Sequence, residues 1–187
     1  MAGFVLTGFG AWFVFYQASQ PSINTIDVYG EIPKFDFTAH TGDSFGNEDM
    51  KSTLSVVDFI FTSCQTFCPL MTQTMSEFYR AYRGSERVRF VSFSVDPDND
   101  TLPVLQEYAK KFGVEDDNWM FVRAPIQDIK RLSEKGFYLP AEGLPMGHST
   151  KFVLVDQDGK IRGYYDSFDE KSLEELKNRI NYLTKKM

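Results

Sequence analysis

The stretch Leu54-Ser55-Val56-Val57-Asp58-Phe59-Ile60-Phe61 runs directly into Thr62-Ser63-Cys64-Gln65-Thr66-Phe67-Cys68-Pro69. The first half is of strand length and rich in β-branched and aromatic residues, which suits a central strand buried on both faces. After Pro69, the residues Leu70, Met71, Met75, Phe78, Tyr79 and Tyr82 recur at helical spacing, and Gly84 supplies a stop. Proline is at home in the first helical turn, where its missing N–H has no intrahelical partner. A strand, a short cysteine-bearing loop and a helix therefore follow one another without a spacer. Both thiols are expected at a helix N-terminus, where unpaired N–H groups and the positive end of the dipole favour thiolate and lower the cysteine pKa.

Cys64 and Cys68 are the two cysteines of a 187-residue chain. At i and i+4 they can close a disulfide or hold a soft metal. A loop this short removes little chain entropy when closed, so such a pair reads as redox-active or metal-binding before it reads as a staple. An inert bridge is the alternative.

The remaining pattern is an alternation of strands and helices. Phe35-Asp36-Phe37-Thr38 alternates as a strand, His40-Thr41-Gly42-Asp43 reads as its turn, and Phe45 opens a return strand. Val88 to Val95 is a further strand, ending in Asp96-Pro97-Asp98-Asn99-Asp100-Thr101. There Asp100 is expected to cap a helix carrying Leu105, Tyr108, Ala109 and Phe112. Trp119-Met120-Phe121-Val122 is a short strand, followed by a helix through Ile126, Ile129 and Leu132 and a long loop from Gly136 to Gly147 that ends at His148. Lys151 to Val155, the turn Asp156-Gln157-Asp158-Gly159 and Lys160 to Tyr165 form a hairpin, and Leu173, Leu176, Ile180 and Leu183 mark a final amphipathic helix. This order predicts an α/β fold, a mixed sheet with helices on both faces. In open α/β sheets reactive groups gather at the carboxyl ends of strands, where the cysteine loop leaves Phe61 and where His148 can approach.

Residues 2–20 carry no charge, and Phe4, Val5, Leu6, Phe9, Trp12, Phe13, Val14, Phe15 and Tyr16 make the segment apolar on every helical face. That pattern, close to the roughly 20 residues a bilayer crossing needs, predicts a membrane anchor over 1–20. A cleaved signal and a buried core helix are its rivals. A polar linker over 21–31 then leads to one domain over 32–187. The net charge of −6, with no run of Lys or Arg longer than a pair such as Lys185-Lys186, argues against nucleic acid as a partner.

Two thiolates and one imidazole from Cys64, Cys68 and His148 make a soft, low-coordinate set that suits copper, Cu(I) above all, better than the closed four-ligand set of structural zinc. His148 reads equally well as a loop histidine paired with a backbone carbonyl. His40 reads as a solvated turn residue, Met71 and Met75 as core, Met146 as a loop methionine with a possible thioether role, and Asp96 as a group lining the site.

Taken together, Thr62-Ser63-Cys64-x-x-x-Cys68-Pro69, Val95-Asp96-Pro97-x-x-Asp100-Thr101, His148-Ser149 and Asp156-x-Asp158-Gly159 closely resemble the Sco (synthesis of cytochrome c oxidase, SenC-type) copper proteins, over roughly Pro33 to Leu183. The resemblance implies a thioredoxin-like fold, an N-terminal membrane anchor, and one copper, Cu(I) or Cu(II), held by Cys64, Cys68 and His148. It also implies delivery of copper, received from a donor protein, to the dinuclear site of cytochrome c oxidase subunit II, or reduction of that subunit's cysteines. The implied location is a membrane, with the domain on the periplasmic or extracytoplasmic side, or in the mitochondrial intermembrane space. A thiol–disulfide oxidoreductase, with Cys64 attacking and Cys68 resolving, is the rival function. A peroxiredoxin is a weaker one, since Val57 stands where that family places a loop proline.

Overall fold

A computed structural model describes residues 27–187. The expected anchor over 1–20 and most of the linker over 21–31 lie outside the described residues. Among those described, no helix is long and apolar enough to cross a membrane.

Within the described residues eight strands form one sheet: β1 (Gly30–Glu31), β2 (Asp36–Ala39), β3 (Ser44–Gly46), β4 (Leu54–Ile60), β5 (Val88–Ser94), β6 (Trp119–Arg123), β7 (Lys151–Val155) and β8 (Lys160–Asp166). Their spatial order is β1-β8-β7-β4-β5-β6-β2-β3. The centre, β4-β5-β6, is parallel, and β7 lies antiparallel to β4, so the sheet is mixed as the pattern of elements predicted. All seven residues of β4 are buried, as a doubly covered parallel strand requires.

Among the described residues four helices cover it: α1 (Phe67–Tyr82), α2 (Leu102–Lys111), α3 (Ile126–Arg131) and α4 (Glu170–Thr184). Register places Val56, Asp58 and Ile60 of β4 on one face with Phe90, Ser92 and Ser94 of β5. Tyr79 of α1 packs on Phe90 and Trp119 at 6.1 and 5.6 Å between ring centroids, and Tyr108 of α2 on Phe121 at 5.7 Å, so both helices lie on that face. Tyr82 donates to Asn181 Oδ1 at 3.0 Å, joining α1 to α4. The other face is an aromatic cluster of Phe59, Phe93, Phe35 and Phe137.

Phe137 comes from a segment read as loop. Beyond α3 the chain continues through a π-helical turn, Leu132–Gly136, closed by the Phe137 N–H donating to the Leu132 carbonyl at 2.9 Å. Gly136 permits it, because a Cβ there would stand 2.8 Å from Pro33 Cδ. The wider turn seats Phe137 over β4 and β5, adding burial that an earlier stop would forfeit.

Candidate metal centre

β4 ends at Ile60, and the chain reaches α1 through Phe61 to Thr66. Helix α1 starts two residues before Pro69, so Cys68 lies in its first turn while Cys64 stands outside, ahead of the N-cap Thr66. The Cys68 N–H donates to Cys64 Sγ at 3.4 Å, and Thr66 Oγ1 lies 3.6 Å from the same sulfur. Burial pushes the Cys64 thiol up, but hydrogen bonds from the Cys68 and Thr66 amides and the Thr66 hydroxyl outweigh it, leaving the pKa lowered to about 7.

Cys68 departs from the expectation that both thiols are acidified. Its side chain is wholly buried, and burial pushes its thiol well up, reinforced by the neighbouring Cys64 and Asp58. Removal from water dominates one turn inside the helix, whereas the amides dominate at its mouth. One thiol is therefore half-buried and acidic, and the other is buried and held protonated.

Cys68 Sγ faces His148 Nε2 at 3.2 Å. The other ring nitrogen lies 3.0 Å from the Ser149 carbonyl, to which Nδ1–H donates, so the Nε2 lone pair is turned toward the sulfur. Burial lowers the His148 pKa, against smaller opposing effects from the Ser149 and Phe59 backbone, which favours the neutral, ligating form. Phe61 packs edge-on against the imidazole at 5.5 Å. His148 thus bonds a backbone carbonyl, as the loop-histidine reading expects, and also meets a cysteine. The loop presenting it turns at Gly147, whose N–H donates to the Gly143 carbonyl at 3.0 Å.

Among the described residues no three His, Cys, Asp or Glu side chains already stand at metal-holding distances. Cys68 and His148 are together; the Cys64 sulfur is turned toward the helix amides. Two sulfurs and an imidazole nitrogen at one strand end are the donor types a soft ion takes, and they would close on one once the partly exposed Cys64 turned its sulfur from the amides toward His148.

The other candidates disperse. Met71 and Met75 are fully buried core residues, and Met146 is 74% exposed on the loop before His148. The Asp96 carboxylate accepts from Asn99 Nδ2 at 3.0 and 2.9 Å, holding its own turn. His40 is not a solvated turn residue: Nδ1 accepts from the Phe121 N–H at 3.3 Å, and its ring packs on Phe121. Its place beside β6 follows from the β2–β6 pairing, which joins residues distant in sequence.

Asp100 does not cap α2. Thr101 is the N-cap, and the Asp100 carboxylate instead accepts from the Thr62 N–H at 3.2 and 3.3 Å, from Thr62 Oγ1 at 2.5 Å and from Ser94 Oγ at 2.5 Å. A cap and a cross-loop acceptor look alike in sequence; only the pairing of β4 with β5 brings Thr62 to it. Asp58 was also missed, hidden in an apolar run. It is fully buried on the α1 face, and neither carboxyl oxygen has a hydrogen-bond partner among the described residues. Burial raises its pKa to about 7, with Ser92 near enough to favour the charged form without completing a bond of normal geometry.

Residues 25–185 match the sequence model of the SCO1/SenC family. The chain is 31% identical over 152 residues to the SCO1 protein homolog of Bacillus subtilis, covering 78% of this chain and 79% of that protein. It is 27% identical over 145 residues to a protein of Stutzerimonas stutzeri described as copper-binding, covering 71% and 68% of the two chains. Its fold superposes with a TM-score of 0.71 and 29% identity on BsSco, a member of the Sco family of cytochrome c oxidase assembly proteins in which a disulfide switch has been identified, covering 84% of this chain and 98% of that one.

Proposed function

The chain belongs to the SCO1/SenC family, and from that premise we propose that it is a membrane-tethered copper chaperone, holding one copper on Cys64, Cys68 and His148 and passing it to the dinuclear site of cytochrome c oxidase subunit II. Copper is the metal of this family's sites. The observation that carries the reading is the Cys68–His148 contact of 3.2 Å, which sets a soft sulfur and a neutral imidazole nitrogen together at the carboxyl end of β4.

Cys64 completes the set as thiolate. Its acidity, with a pKa near 7, lets it enter as the first ligand at neutral pH, whereas Cys68 releases its proton only as the metal arrives. Oxidation of the two thiols to a disulfide removes two ligands together, so release is coupled to redox state. The uncharged segment 2–20 supplies the tether, with the domain on the periplasmic or extracytoplasmic side, and a copper donor protein loads it.

The asymmetry of the thiols supports a second reading, a thiol–disulfide oxidoreductase acting on the subunit II cysteines. A partly exposed acidic thiol that attacks and a buried protonated one that resolves are the parts such chemistry needs. Loading the reduced protein with Cu(I), mixing it separately with the dithiol and the disulfide forms of the copper-free soluble domain of subunit II, and following both metal and thiol content separates the two. Copper moving with no change in thiol count supports the chaperone. Loss of two thiols from this protein with gain of two on the acceptor, metal or no metal, supports the reductase and overturns the first reading.

A further inference from the structure

Thr62 is the last point at which the chain is tied down before the thiols. Among the described residues, the loop between it and α1 has one backbone bond, from the Cys64 N–H to the Phe61 carbonyl at a long 3.4 Å, and the N-cap Thr66 makes no side-chain cap. Thr62 itself is gripped twice, through its N–H and its hydroxyl, by the carboxylate of Asp100. That carboxylate is fully buried and its backbone is fixed by a turn in which the Asp100 N–H donates to the Asp96 carbonyl at 2.8 Å. Ser94, on the neighbouring strand, supplies the third donor. A buried carboxylate with several donors is a rigid acceptor, because losing any one leaves it short of its desolvation cost.

We infer that Asp100 is a positioning residue for the thiol pair: by clamping Thr62 it sets where Cys64 stands relative to Cys68 and His148, and with that the copper affinity and the reactivity of Cys64. The geometry is direct. Asp100 sits on the β5–α2 connection and Thr62 on the β4–α1 connection, so the bond fixes one loop against the other across the strand ends. Thr62 stands two residues ahead of Cys64, too few for the chain to absorb a displacement before the sulfur. This inference rests on the proposed copper site for its metal readout, but not for its thiol readout.

The test compares Thr62→Val, Thr62→Ser, Asp100→Asn, the Thr62→Val/Asp100→Asn double variant, and Ser133→Ala, which removes a buried hydroxyl that donates to the Leu139 carbonyl away from the cysteine loop. His148→Ala checks the copper assignment itself. Three quantities are read in the full chain: Cu(I) affinity by chelator competition, the thiolate-to-copper absorption band of the Cu(II) form, and the pH profile of Cys64 alkylation without metal. Thr62→Val and Asp100→Asn should each weaken Cu(I) binding by about 10- to 100-fold, the range of outer-shell losses, and move both band and alkylation midpoint. The double variant should be no worse than either single one, because both break one link, and Thr62→Ser should restore wild-type behaviour. Ser133→Ala should move neither. Unchanged affinity, band and midpoint in folded Thr62→Val would overturn the inference, as would additive losses that simply follow stability. If Asp100→Asn fails to fold, the Thr62→Val and Thr62→Ser pair decides. If His148→Ala leaves copper affinity untouched, the copper assignment falls, and the metal-free alkylation midpoint of Thr62→Val alone upholds or overturns the positioning role.

Discussion

Cys68 Sγ and His148 Nε2 meet at 3.2 Å across a sequence separation of 80 positions. The imidazole is held in the tautomer that offers its lone pair by the bond from Nδ1 to the Ser149 carbonyl. Replacing His148 by alanine removes a nitrogen donor and leaves both sulfurs in place. Copper affinity should fall by at least about tenfold, the lower bound being what outer-shell losses alone cost, while the copper-free protein keeps its unfolding midpoint within a few degrees. Competition titration against a Cu(I) chelator measures the first, and thermal denaturation the second. Equal affinities in the two proteins would remove His148 from the ligand set.

The two thiols should be told apart by reagent. Cys64 has a lowered pKa of about 7, so it is mostly thiol at pH 6 and mostly thiolate at pH 8, and its alkylation rate should climb through that window and level off above it. Cys68, wholly buried and pushed up, should react far more slowly at every pH in the range. Thr66→Ala removes the hydroxyl 3.6 Å from the Cys64 sulfur and should shift the midpoint upward. Iodoacetamide kinetics with peptide mapping give both curves; a midpoint near the ordinary cysteine value of about 8.5 would show that the helix amides do not act on Cys64.

What could be read in advance was what depends on local periodicity. The β4–loop–α1 unit, the β7–β8 hairpin and α4 announce themselves through alternation, turn residues and helical spacing, and each is where it was expected. The pairing of His148 with Cys68 was legible as a candidate, because a loop before the hairpin returns to the strand ends. Asp100 was not, since an aspartate ahead of a helix is most simply a cap and its true partner, Thr62, lies 38 positions away. The π turn escaped for a related reason: Gly136 and Pro33 have no sequence relation until β1 pairs with β8 and brings the N-terminal segment across. Cys68 was misjudged because dipole and burial oppose one another, and depth below the surface is not written in spacing.

Asp58 should cost stability in a pH-dependent way. Its folded pKa is raised to about 7, above the ordinary carboxylate range, by burial without a hydrogen-bond partner. Below about pH 4 both states hold the proton and there is no penalty. As pH rises from about 4 to 7 the unfolded chain ionises and the folded one does not, so stability falls by up to ~1.4 kcal/mol per pH unit, and it becomes flat once the folded group also ionises. The full loss is on the order of 4 kcal/mol as a ceiling. Other carboxylates overlay this trend, so the quantity to measure is the difference from Asp58→Asn, by urea denaturation at pH 5, 6, 7 and 8. The variant's relative stability should grow across that series and stop growing above about pH 7. A constant difference would mean that Asp58 is already charged at pH 5.

Gly147 tests whether the loop carrying His148 must hold its shape for the site to work. A Cβ there would stand 1.9 Å from the Glu142 carbonyl oxygen, a backbone atom that cannot swing aside, so Gly147→Ala has to move the chain immediately before His148. Gly143, in the same loop, offers a control of opposite character. Its φ of +72° strains any other residue, yet a Cβ would meet nothing within 4 Å. Gly143→Ala should cost about 1 kcal/mol of stability through the backbone and leave His148 where it is. Gly147→Ala should instead displace the imidazole from Cys68, and its copper affinity should fall toward that of His148→Ala. The two alanine variants, compared by chelator competition and by denaturation, separate loop strain from ligand placement. Should both lose copper equally, the loop acts through its overall order and not through the close turn at Gly147.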